Sequence, residues 1–194
     1  MVHYYDALFG YISRIIDIPE HDRAQCRETF QPLWVARDTM LDVAGKVPMY
    51  HNFIVSGFMR KFYINDKGEE VTVDLNNGPR FFTSYYDFIR QTPSNEYLQC
   101  ITDCELLRIT KADADRTAQT SITQKDYTIK LFHQIQEEDR QRMDDLATLT
   151  AEQRYVKLMR DSPEIIKNVP LKDIASYLGI KPESLSRIRR ELSS

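Results

Sequence analysis

Between Gln31 and about Thr110 the sequence drops any helical period, and this change narrows the possible folds more than any other feature. Short apolar or alternating runs recur at 33–36, 52–55, 59–64, 70–75, 96–101 and 104–109. Turn-forming residues separate them: Ser56-Gly57, Asn65-Asp66-Lys67-Gly68 and Asn76-Asn77-Gly78-Pro79. Several short strands at near-regular spacing predict an antiparallel sandwich or barrel. Phe62-Tyr63-Ile64 facing Val71-Thr72-Val73 across Asp66-Lys67-Gly68 predicts a hairpin.

Helical patterns flank this region. Tyr4, Leu8, Ile12, Ile15 and Ile16 predict an amphipathic helix over 3–17, and Pro19 with its acidic neighbours opens a second, to about Phe30. One long polar helix is expected from Ala112 to about Leu149. Ile122, Ile129 and Met143 fall on multiples of seven, as do Phe132 and Leu146. This is a heptad seam, interrupted at Gln136 and Asp139, and it predicts pairing with a second copy rather than packing on the parent domain alone. Thr150 and Gln153 form a capping signature for a further helix, with Tyr155, Leu158 and Met159 facing inward. Asp161-Ser162-Pro163 ends it, and 163–170 reads as a connector.

The last stretch repeats the helical period twice. Leu171, Ile174 and Leu178 are helix-spaced, and so are Leu185 and Ile188. Gly179 stands between them, where a chain leaving a helix through positive φ wants glycine. Lys181-Pro182-Glu183 opens the second helix, with proline tolerated in its first turn. Two short helices across a tight turn form a helix-turn-helix, or else an αα-hairpin that merely completes a core. Charge favours the first. Lys172, Lys181, Arg187, Arg189 and Arg190 outnumber Asp173, Glu183 and Glu191, a local net of +2 on a chain of net charge −3. A basic end on an acidic protein is where a phosphate backbone would be met.

Length and composition bound the remainder. The 194 residues allow one large or two small domains, and 42% hydrophobic with 28% charged residues is a globular composition. No run of eighteen apolar residues is present, and the N-terminus is no secretory signal, so a cytoplasmic protein without a membrane span is expected. Cys26, Cys100 and Cys104 are odd in number, which fits a reducing compartment. The last two are expected to be small inward-facing hydrophobes rather than metal ligands.

Glu183-Ser184-Leu185-Ser186-Arg187-Ile188 resembles the recognition helix of the Crp/Fnr superfamily of bacterial transcription regulators, closest to its Fnr-type branch. Upstream, 53–60 and 66–70 resemble the "F-I-x-x-G-x-x-R" and "D-x-G-x-E" elements of that family's cyclic-nucleotide-binding-type jelly roll. The resemblance covers nearly the whole chain. It implies an α+β fold: a jelly-roll domain with N-terminal helices over 1–111, a dimerisation helix over 112–149, and a helix-turn-helix domain over 150–194. It implies that Glu183, Ser186 and Arg187 read base edges and Ser184 touches phosphate. The chemistry agrees, since arginine bonds guanine O6 and N7 together and glutamate accepts from cytosine N4. Glu183 and Arg187 share a helix face, so an intrahelical ion pair is a second reading, compatible with the first. Lys181, Arg189 and Arg190 would be phosphate contacts. Family members often carry β-hairpin wings around these helices; the connector and the residues after Arg190 offer no room for them. The cluster ligands of the Fnr-type oxygen sensor are missing as well.

Cyclic-nucleotide binders of the family hold the phosphate with a Gly-Glu and a later Arg-Ser. Here the corresponding stretches read Gly78-Pro79-Arg80-Phe81-Phe82 and Thr92-Pro93-Ser94-Asn95-Glu96-Tyr97, with no such glutamate or arginine. Glu96 would repel a phosphate, and a buried uncompensated phosphate is costly, so cyclic AMP and cyclic GMP are not expected and no cofactor is predicted. The aromatics Phe81, Phe82, Tyr85 and Tyr86 either line a pocket for an apolar effector or fill the old cavity. Arg80 is a nearby cation, and Asp139 and Arg140 stand where the family's effector would touch the central helix.

These readings converge on a homodimeric, non-enzymatic transcription regulator that binds double-stranded DNA at an inverted repeat, with RNA polymerase as a further partner the resemblance allows. A degenerate module that keeps the fold without ligand or specific DNA binding is the alternative. A cupin-type metal enzyme would need clustered histidines, and His3, His21, His51 and His133 are dispersed.

Overall fold

The computed structural model describes residues 2–192. Helices α1 (Val2–Ile12) and α2 (Glu20–Thr29) come first, then strands β1 (Gln31–Val35), β2 (Met40–Asp42), β3 (Tyr50–Ser56), β4 (Phe58–Ile64), β5 (Glu70–Asn77) and β6 (Arg80–Phe81). Helix α3 (Tyr85–Arg90) precedes β7 (Tyr97–Cys100) and β8 (Cys104–Thr110). Helices α4 (Lys111–Thr120), α5 (Gln124–Thr148), α6 (Ala151–Asp161), α7 (Pro163–Asn168), α8 (Leu171–Tyr177) and α9 (Pro182–Glu191) complete the order.

Two four-stranded antiparallel sheets, β1-β8-β3-β6 and β2-β7-β4-β5, face each other as a jelly roll. Side chains alternate across each strand, so Ile54 turns inward while Phe53 turns outward. The inward set, Ile54, Met59, Phe82, Leu98, Cys100, Cys104 and Leu106, fills the roll. The outward set of the first sheet, Phe53, Leu107 and Ile109, is covered by Leu8, Phe9 and Ile12 of α1 and Cys26 of α2. All three cysteines are thus buried. Gly57, between β3 and β4, has φ +98°, and a Cβ there would stand 2.5 Å from the Asp103 carbonyl oxygen, so only glycine fits. The hairpin β4–β5 pairs Phe62 with Thr72 and Ile64 with Glu70, and the Asn65 side chain accepts from the Lys67 and Glu69 amides to close its turn.

The stretch expected as one helix from Ala112 to Leu149 is two. Its ladder stops at Ser121-Ile122-Thr123, where the buried carboxylate of Asp22 takes over the bonding. It accepts from the Ile122 amide (3.1 Å), the Thr123 amide (3.0 Å), Thr123 Oγ1 (2.6 Å) and Ser121 Oγ (2.9 Å). An acid from α2 thereby caps α5 from outside. The carboxyl lies below the usual range: burial alone would raise it, but the bonds from Thr123, Ile122 and Ser121 outweigh that.

Helix α6 begins with the expected capping box, with Thr150 accepting from the Gln153 amide and Gln153 accepting from the Thr150 amide. Tyr155 is buried and Leu158 partly so, but Met159 lies on the exposed side of the helix, against expectation. The presumed connector is helical: α7 starts at Pro163 and buries Ile165. No strand occurs among the described residues after Thr110. Ile174, Ala175, Leu178, Leu185 and Ile188 form a core with Tyr155, Ile165 and Val169, which continues into Leu75, Ile101 and Phe58 of the roll. None of the described helices is long and apolar enough to cross a membrane.

Candidate nucleic-acid interface

Helix α8 ends as the glycine predicts. Gly179 has φ +69°, its amide donates to the Ser176 carbonyl and the Ile180 amide donates to the Ala175 carbonyl, both at 3.0 Å. This is a Schellman termination, and it swings the chain so that Lys181 caps α9 and Pro182 occupies its first turn. Leu185 and Ile188 anchor α9 from beneath. The opposite face carries Glu183, Ser186, Arg187, Arg189 and Arg190, all exposed, with Ser184 half-buried and Lys181 exposed at the entry. All seven expected DNA-facing residues lie on this one helix and its cap. Arg187 is 71% exposed and sits 4.0 Å from Glu191, one turn ahead, rather than against Glu183.

Residues the sequence did not single out hold this unit in place. Arg60 on β4 is buried and engaged at each nitrogen: Nε donates to Gln99 Oε1 (2.8 Å), Nη1 to Asp173 Oδ1 (2.7 Å) and Nη2 reaches Glu70 Oε2 (2.7 Å). Its guanidinium also lies 4.1 Å from the Phe62 ring centroid. Burial raises the Asp173 carboxyl above the ordinary range, against the pull of Arg60 and Lys172. Ser176 Oγ accepts from the Thr72 amide and donates to the Glu70 carbonyl, bonding α8 to the edge of β5. At the C-terminus of α8, Arg142 of α5 donates to the Tyr177 carbonyl and covers the Tyr177 ring at 3.8 Å. Arg154 of α6 donates to the Leu178 carbonyl. Cations at a helix C-terminus complement its dipole. The available signal was Arg60 itself, the arginine that ends the motif resemblance at 53–60 and that strand alternation turns outward from Met59.

The expected effector residues do not converge. Phe82 points into the roll while Phe81, its neighbour, points out, because strand alternation separates consecutive residues. Phe81 lies 4.5 Å from His51 and 5.0 Å from Phe53, ring centroid to centroid, and Tyr85 lies 4.9 Å from His51. Tyr86, one residue on in α3, is 64% exposed with Arg90 over its ring. Arg80 pairs with Glu138 of α5 at 2.9 Å, a strut between roll and helix. Asp139 and Arg140 are exposed, the latter bound to Glu137 and Asp144 on its own helix. Of the seven, Phe81 and Tyr85 border a cavity on the outer side of the first sheet.

Just before β7, Glu96 accepts from Ser84 Oγ at 2.5 Å, its own amide donates to Ser94 Oγ, and Lys61 Nζ stands 3.6 Å from its carboxylate. Nearby, burial raises the Asp74 carboxyl despite Lys61, Arg80 and Arg142.

The seam residues Ile129, Phe132, Met143 and Leu146 are all exposed on α5, Met143 at 63%. Ile122 is exposed too but stands in the break before α5, so it begins no heptad.

No protein-family profile and no curated protein matches the sequence. Solved structures do. The chain is similar to the c-di-GMP-responsive global regulator CLP of Xanthomonas campestris, at 16% identity and TM-score 0.71 over 90% of this chain and 92% of that one. It is similar to FixK2 of Bradyrhizobium japonicum, at 14% identity and TM-score 0.70 over 84% of each. A Eubacterium rectale protein described as a transcriptional regulator of the Crp/Fnr family gives 15% identity and TM-score 0.71 over 91% and 84%. The fold is therefore the Crp/Fnr type: an antiparallel roll, a long helix and a helix-turn-helix.

Proposed function

We propose that the protein is a homodimeric, sequence-specific DNA-binding transcription regulator. The observation that carries this is the division of α9, with Leu185 and Ile188 wholly committed to the core and Glu183, Ser186 and Arg187 presented outward beside further cations. Solved structures of the same fold include a global regulator and a transcriptional regulator of the Crp/Fnr family. Pairing through Ile129, Phe132, Met143 and Leu146 would set two α9 helices in successive major grooves, about 34 Å apart, on an inverted repeat. Guanine facing Arg187 and cytosine facing Glu183 would be its most constrained bases.

Cyclic nucleotides are not its effector in this reading. Glu96 already supplies the anion that Ser84 and Lys61 serve, so a phosphate there would meet a carboxylate and displace existing bonds. The competing reading, an interaction module without base readout, draws on the surplus acidity of the rest of the chain, whose net charge is −3 even with the basic end included.

Salt-titrated binding to operators selected from random duplex, against unselected duplex, separates the two. Readout gives a specificity ratio on the order of 10³ or more, whereas non-specific attraction gives similar affinities that vanish together with salt.

A further inference from the structure

Outside the roll, the first sheet leaves part of its outer face uncovered. A cavity of about 530 Å³ lies between that face, the N-terminal helices and the α4–α5 arm. This size is ordinary for a small-molecule site. Its floor is aromatic: the His51 imidazole stacks on Phe81, with Tyr85 and Phe88 at 4.9 and 5.6 Å. Burial drives the His51 pKa down to about 3, so the ring is neutral near pH 7.

Two residues of its wall each carry a buried polar atom without a partner. Tyr127 Oη and Gln124 Oε1, one helical turn apart on α5, are shut off from solvent and have no hydrogen-bond partner in the structure. A buried polar atom left unpaired costs about 1–3 kcal/mol, so native proteins seldom retain two in one wall. Charge narrows what could satisfy them. Asp22 is saturated by four bonds, Asp115 is held by Lys111, and Lys125 stands exposed at the margin. An anionic guest would find carboxylates and no buried cation.

We propose that this cavity binds a neutral aromatic molecule bearing a phenol-type hydroxyl, its ring against Phe81 and His51, with the Tyr127 and Gln124 side chains turning on binding so that the hydroxyl accepts from Tyr127 and donates to Gln124. The site lies on the opposite side of the sheet from the roll interior, and the inference does not depend on DNA binding. It also reaches the expected seam: Phe132 lines the cavity in edge contact with Tyr85, at 5.2 Å between ring centroids, and is 39% exposed.

The test titrates the full chain with the uncharged fluorophore N-phenyl-1-naphthylamine and competes it with 2-naphthol or 2-naphthoate. The expected result is saturable fluorescence at one probe per chain, displaced by 2-naphthol at concentrations at least about tenfold below those of 2-naphthoate, as burial of an unpaired charge requires. Tyr127→Phe weakens 2-naphthol about fivefold, the worth of one hydrogen bond, and leaves the fluorophore nearly unchanged. Ala114→Phe, which fills the cavity from α4, abolishes saturable binding while circular dichroism shows the fold retained; if that variant fails to fold, Ala118→Phe from the same helix is used. Unsaturable fluorescence, equal displacement by the carboxylate, or a folded cavity-filled variant that binds like the parent overturns the proposal.

Discussion

Arg60 of the roll and Asp173 of the first helix of the helix-turn-helix meet at 2.7 Å, with both side chains almost wholly withdrawn from water. The pair joins residues 113 positions apart in sequence, and Ser176 reinforces it by bonding two backbone groups of β5. The orientation of α9 is therefore fixed by the roll as well as by the core beneath it.

Removing one partner of a buried pair leaves the other charge stranded. Arg60→Met should cost about 3–5 kcal/mol in urea denaturation, and Arg60→Met with Asp173→Leu should recover most of that loss. Equal destabilisation by single and double variants would show that packing, not charge pairing, matters at this junction.

Two cations of the outward face should behave differently. Arg187→Ala should lose about 1–3 kcal/mol on a selected operator and relax discrimination at one base pair. Lys181→Ala should weaken binding to every duplex alike and reduce the salt slope by about one. Fluorescence anisotropy on matched and mismatched duplexes reads both. Uniform loss on all sequences for Arg187→Ala would remove that residue from base reading.

Placing carboxylates on the seam should split a dimer. Ile129→Glu with Met143→Glu puts two charges where apolar side chains would meet, and sedimentation should report monomer at concentrations where the parent is a dimer. Unchanged sedimentation would move the interface elsewhere.

His51 ties stability to acid. Its folded pKa, about 3, lies below the ordinary histidine value of 6.5, so the unfolded chain takes up the proton first. The stability from keeping the ring neutral is complete above pH 6.5 and is lost as pH falls toward 3. By pH 5 the loss approaches about 2 kcal/mol. Thermal melts from pH 7 to pH 5 should show a shallower decline for His51→Leu than for the parent.

Local chemistry made the architecture readable from sequence. Strand alternation with glycine turns announced the roll, and Gly179 with Pro182 announced the turn between α8 and α9. What escaped notice depended on distant partners. Ser121, Ile122 and Thr123 read as ordinary helix residues until Asp22, about a hundred positions earlier, is seen to bond at the break. Arg60 carries no sign in its own strand that its counter-charge lies on α8. The effector candidates separate for a local reason: strand alternation sends Phe81 and Phe82 to opposite faces of the sheet, and in α3 Tyr85 borders the cavity while Tyr86 lies exposed.

Phe132 occupies a position with two audiences. Its ring packs edge-on against Tyr85 in the cavity lining, and it belongs to the exposed row of α5 where a second subunit would rest. A change in that ring's tilt cannot be private to either side, so natural variation at this residue should be answered by compensating variation on both.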